Sequence, residues 1–132
     1  MNTIPATVLS VDHFEGISSI VFEARDTVLT MLGLEPPAGL DRGAKVELGI
    51  KSTHITIACE APRQIAVSNI IPVTLVDMEI GRIVSILKLD FKGLELEAIL
   101  PVNSLMKLSL EKEDNLFAIF QASELFVHRT IS

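Results

Sequence analysis

The chain has 132 residues, a formal net charge of −6, 48% apolar residues and a mean hydropathy of +0.46. The negative balance, with no Trp, no Tyr and six Phe, speaks against a nucleic-acid partner, whose phosphates and bases call for a basic face and stacking platforms. Charged, Pro or Gly residues interrupt every apolar run before it reaches a membrane span, the N-terminus does not read as a signal peptide, and the single Cys59 allows no internal disulfide and fits a reducing, cytoplasmic setting.

Residues 4–11 are β-branched and aliphatic and read as a first strand, turned by residues 12–16. Residues 17–23 and 27–32 form the next two strands, with Ala24-Arg25-Asp26 as the hairpin tip. Residues 35–39 carry two prolines, which lack donors and fix φ, so they form a connecting turn. Leu40-Asp41-Arg42-Gly43 is a tight turn that launches a strand at 44–50, and residues 55–58 make a last short one. Five strands with one irregular connection describe a small, partly open barrel.

The chain then repeats itself. Asn2-Thr3-Ile4-Pro5-Ala6-Thr7-Val8 returns as Asn69-Ile70-Ile71-Pro72-Val73-Thr74-Leu75, and each copy runs into a glycine at a matching place, Gly16 and Gly81. Two tandem units of roughly 65 to 70 residues follow, each large enough for one small barrel. The expected organisation is a first unit at 1–59, a polar, proline-broken linker at 60–67 and a second unit at 68–132.

In the second unit, Ile80, Ile83, Val84 and Leu87 also fit a helical spacing. Strand is expected because the first unit is β-like there, Gly81 opens the segment and Lys92-Gly93 signals a hairpin before the strand at 94–100. Pro101 ends the strand, residues 103–108 fit one or two helical turns, and strands at 116–120 and 125–129 close the barrel. The alternation Leu94-Glu95-Leu96-Glu97 puts carboxylates on one strand face, read as solvated.

Little in the chain suggests catalysis, and the expectation is a protein that is not an enzyme. His13, His54 and His128 lack zinc-ligand spacing and read as surface residues. Neither a phosphate-binding glycine loop nor a G-x-S-x-G elbow occurs.

The doubled unit, with Lys51-Ser52-Thr53 and Gln121-Ala122-Ser123 after the fourth strand of each half, resembles the Mop, or TOBE, domains of molybdate-binding proteins. The closest pattern is the paired arrangement of the molbindins, which is similar to the C-terminal molybdate-binding half of the regulator ModE. The resemblance covers nearly the whole chain. It implies an all-β fold of two tandem OB-like five-stranded barrels with short helical connections. It also implies a cytoplasmic protein that binds molybdate or tungstate as an intact oxyanion, with no metal coordinated directly by side chains.

Carried over residue by residue, the resemblance assigns the oxyanion to Lys51, Ser52 and Thr53 of the first unit and to Ser104, Ala122 (through its N–H) and Ser123 of the second. Asn2, Ser68 and Asn69 fall at the family's Ser-Ala-Arg-Asn motif. A tetrahedral dianion in a dry pocket needs such directed donors in place of its hydration shell. The sequence departs from the pattern in several places: Ser68 stands where the family has arginine, Ala66 where it has serine, Gln121 where it has lysine, and Leu34 at the position matching Ser104. An alternative is therefore a paired TOBE interaction module, docking on a transporter or regulator partner without binding oxyanion. The high apolar content of two such small barrels leads to the expectation of a homo-oligomer, a dimer or a trimer.

Overall fold

The computed structural model describes residues 1–35 and 39–131. The prolines of the connecting turn expected at 35–39 lie outside the described residues. The fold is all-β: among the described residues there are two five-stranded antiparallel sheets, each curled, with one short helix and two 3₁₀ turns. The first half supplies β1 (Asn2–Phe14), β2 (Ile17–Ala24), β3 (Thr27–Gly33), β4 (Lys45–Ile50) and β5 (Thr56–Ala58). The second supplies β6 (Asn69–Ile80), β7 (Val84–Phe91), β8 (Leu94–Pro101), α1 (Val102–Leu105), β9 (Asn115–Phe120) and β10 (Phe126–Ile131).

The strand order holds a feature that the repeat does not announce. One sheet runs β10-β4-β1-β2-β3 and the other β5-β9-β6-β7-β8. Each half therefore closes its sheet with the last strand of the other half, and the exchange is reciprocal. A 3₁₀ turn precedes each exchanged strand, Ser52–His54 before β5 and Ala122–Glu124 before β10. These turns carry the chain away from its own fourth strand and across to its neighbour.

Alternation explains why the strands bury what they do. Along β1, Asn2, Ile4, Ala6 and Val8 point inward, and along β6 Asn69, Ile71, Val73 and Leu75 do the same. A bulge then shifts the register at equivalent places, between Val8 and Ser10 and between Leu75 and Asp77. At each bulge the inward residue pairs with the turn before the fourth strand of its half. Val8 N–H donates to Ala44 C=O at 2.9 Å and Leu75 N–H to Asp114 C=O at 2.9 Å. Beyond the bulges the β1–β2 and β6–β7 hairpins extend as arms whose apolar residues, Phe14, Ile17, Ile80 and Ile83 among them, are exposed.

The first arm is longer than its sequence suggests: β1 continues to Phe14, and only Glu15 and Gly16, both at positive φ, form the turn. In the second arm the expected strand over 80–87 divides, because residues 81–83 turn and Gly81 N–H donates to Val84 C=O at 3.0 Å. The helical alternative for this stretch does not occur. Helix α1 falls where a helical turn is expected and buries Leu105 against β7 and β8. The buried residues of both sheets form one continuous cluster, in which Phe22 and Phe91 are fully buried and each stands where the other half has a smaller residue, Leu89 and Ala24.

The approximate twofold operation that relates the halves brings equivalent residues face to face. Arg25 and Lys92 occupy matching hairpin tips, and each reaches the other's backbone. An Arg25 guanidinium N–H donates to Lys92 C=O at 3.0 Å, and Lys92 Nζ donates to Arg25 C=O at 3.0 Å. Lys92 is thus an inter-half clip. Both side chains are exposed, so Lys92→Ala is expected to lower stability by only about 0.5 kcal/mol, or ~2 °C in Tm, in a thermal melt.

Candidate functional site

The 3₁₀ turns that carry the predicted ligand residues sit where one half meets the other. In the first, Ile50 ends β4 fully buried, Lys51 is extended and exposed, and the turn closes through His54 N–H donating to Lys51 C=O at 2.9 Å. Ile55 then returns to the core. In the second, Gln121 is extended and Glu124 N–H donates to Gln121 C=O at 3.0 Å. A single turn of this kind leaves its leading N–H groups outside the turn's own bonding. The first turn packs against β8 and the second against β3, each a strand of the opposite half.

Asn2 and Asn69 are buried, at 5% and 0% exposure. Each carboxamide grips the backbone of the other half. Asn2 Nδ2 donates to Glu97 C=O at 2.8 Å while Glu97 N–H donates to Asn2 Oδ1 at 2.7 Å. Asn69 Nδ2 donates to Thr30 C=O at 2.9 Å while Thr30 N–H donates to Asn69 Oδ1 at 2.9 Å. The side chain copies a backbone ladder unit and joins the first strand of one half to the third strand of the other. One N–H of each carboxamide remains for any further partner.

Beside the Asn2 clamp lies a cleft of about 310 Å³ lined by Met1, Asn2, Ser52, Glu95, Leu96 and Glu97. Ser52 is 6% exposed and brings the first turn into this cleft. Its lining includes two glutamates and no lysine or arginine. Lys51 and Thr53 are exposed on the same turn, Ser123 is exposed and Ala122 half-buried on the other. Ser104 is exposed on α1, whose neighbours Val102 and Asn103 line a separate cleft with Arg82, Ile83, Pro101 and Met106. Ser68 is exposed at the start of the second half. Within one chain, then, Asn2 and Ser52 share a cleft, while Ser104 belongs to different surroundings.

Sequence reading passed over one contact between the turns. His54 Nδ1 lies 2.9 Å from Glu124 Oε2, off the direction of an aligned hydrogen bond. His54 and Glu124 are equivalent residues of the two turns, so this pair sits on the twofold relation, as Arg25 and Lys92 do. A helical-turn residue in each copy, one basic and one acidic, was the available signal. Elsewhere, Asp77 on the second bulge is held below the usual carboxylate range, first by the Met78 N–H at 2.9 Å and then by Lys112 at 3.3 Å. Among the described residues, no cluster of three or more His, Cys, Asp or Glu is placed to hold a metal ion, and no helix is long and apolar enough to cross a membrane.

No known protein family matches the sequence, and no curated protein sequence matches it. Solved structures do match. A crystal structure of the cytoplasmic molybdate-binding protein ModG, with molybdate bound, superposes with a TM-score of 0.89 at 17% identity, covering 96% of this chain and 94% of that one. The fold is similar to that of ModG. At this identity ModG and the present chain share a backbone plan across their whole lengths, including the all-β, two-sheet architecture, while their side chains have largely diverged.

Proposed function

We propose that this protein is a cytoplasmic binding protein for molybdate or tungstate, acting in storage, buffering or ligand sensing and not as an enzyme. One observation carries the reading: the fold is shared end to end with ModG, a molybdate-binding protein, and its two 3₁₀ turns hold the residues that the sequence resemblance nominates. The ligand residues are Lys51, Ser52, Thr53, Ala122 and Ser123 on the turns, with Ser104, Ser68, Asn2 and Asn69 completing the set in a homo-oligomer, a dimer or a trimer. In such an assembly a neighbouring subunit supplies the hydroxyls that one chain keeps apart. Selection over sulfate rests on size, because the charges are equal.

The lining of the Asn2 cleft favours a second reading. Glu95 and Glu97 stand beside Ser52, and like charge opposes a dianion. That pattern suits a paired TOBE module that docks on a transporter or regulator partner and takes no oxyanion.

Titration calorimetry with molybdate, tungstate and sulfate separates the two readings. Saturable heat with the first two, and little with sulfate, is expected. Lys51→Ala removes the one lysine among the nominated residues and should weaken binding about ten- to a hundredfold, the worth of a hydrogen bond to a charged partner. If neither molybdate nor tungstate gives heat or a thermal shift at millimolar concentration, the oxyanion reading fails and the docking module replaces it.

A further inference from the structure

The reciprocal strand exchange has two competitors that the backbone alone does not exclude. Each unit could close on itself, β5 beside β4 and β10 beside β9, or like units of two copies could trade strands. The register is the same in every case. In the exchanged fold Phe126 lies opposite Gly49 and Thr56 opposite Ile119. Thr56 and Phe126 are equivalent, as are Gly49 and Ile119, so self-closure or like-with-like exchange would set Thr56 opposite Gly49 and Phe126 opposite Ile119.

The side chains at these positions are matched for one arrangement. At Gly49 an added Cβ would stand 2.5 Å from Cζ and 2.6 Å from Cε2 of Phe126, so the ring lies directly on the glycine backbone. Large faces small in the first sheet, and in the second Ile119, at 6% exposure, faces the smaller Thr56. The competing pairings set two small residues together in one sheet and two large ones in the other, a void and an overpacked site, both destabilising. Between the turns the same logic holds for charge. Unlike units bring His54 to Glu124, whereas like units would bring His54 to His54 and Glu124 to Glu124.

We infer that Gly49 with Phe126, Ile119 with Thr56, and His54 with Glu124 form a pairing code that makes each unit accept its closing strand only from the unlike unit. The inter-unit surface thereby specifies its partner: the other half of the repeat, and not a second copy of the same half. Because the code acts through packing, it holds whether or not the protein binds an oxyanion.

Reversing the code tests it. Gly49→Ile with Ile119→Gly matches the self-closed arrangement and mismatches the exchanged one. In a Cys59→Ser background, Glu47→Cys with Arg129→Cys reports exchange, because these residues pair between β4 and β10, and Glu47→Cys with Ala58→Cys reports self-closure. The expected result is crosslinking of 47 with 129 in the parent and of 47 with 58 once the code is reversed. Unchanged crosslinking of 47 with 129 in the reversed chain overturns the inference, since chain connectivity would then choose the partner.

Should the reversed chain not fold, a second pair decides. Gly49→Ile alone is expected to lower Tm by roughly 10 °C, and adding Phe126→Thr, which rebuilds the second sheet's pair in the first, should restore more than half of that loss. Simple additivity of the two losses overturns the inference equally.

Discussion

Asn69→Ala is expected to lower stability by about 3 kcal/mol, or roughly 9 °C in Tm. The substitution removes both hydrogen bonds to Thr30 and leaves an N–H and a C=O of β3 facing an apolar methyl. An orphaned backbone group in a buried setting carries a penalty of about 1–3 kcal/mol, and two are created. Asn69→Asp separates this from simple loss of packing. The carboxylate still accepts from Thr30 N–H but turns a second oxygen toward Thr30 C=O at a site of 0% exposure. Burial raises its folded pKa above the unfolded value of about 3.9. The stability it contributes is therefore fully present below the unfolded pKa and lost as pH rises through the folded one. Melts of Asn69→Asp should approach the parent near pH 4 and fall away toward pH 7. An Asn69→Ala chain melting within a degree of the parent would show that the clamp does nothing.

The second large effect follows from the exchange. Residues 1–66 and 67–132, produced separately, are each expected to lack a monomeric fold, although each contains a complete copy of the repeat. Alone, the first fragment lacks β10, and the edge of β4 that pairs with Phe126 to Ile131 is bare. The second lacks β5 and the Thr30 partner of Asn69. Mixed at equal concentration, the fragments should recover a single heterodimeric particle with the circular dichroism of the intact chain. A fragment that melts cooperatively as a monomer would contradict the structure's division of labour.

Much of the plan was legible in the sequence. The doubled Asn-x-Ile-Pro-x-Thr segment marks equivalent first strands, Arg25-Asp26 and Lys92-Gly93 mark equivalent hairpins, and alternation places Ile4, Ile71, Val73 and Leu75 inside. The exchange was not legible, because a strand's own sequence records which face is buried but not which neighbour it pairs with. Thr56 would keep its register beside either β4 or β9. The clamping role of the asparagines was hidden for a related reason. Asn2 and Asn69 stand where a ligand motif places an asparagine, and sequence does not tell a carboxamide that completes a ladder from one that faces a cleft. Ser52 and Ser104 are both short hydroxyl residues in the sequence, and only the fold separates a buried turn from an exposed helix.

Strands β1 and β10 flank β4 on its two sides and run parallel to each other, both antiparallel to β4. Asn2 lies beside Ile50 at one end of β4, and Ile131 lies beside Lys45 at the other. A pull applied between Asn2 and Ile131 therefore acts along the strands, dragging β1 and β10 past β4 in opposite directions. The inter-strand hydrogen bonds stand across that pull and are loaded together instead of opening one after another. With β1 and β10 both fastened to β4, the sheet takes such a load in shear.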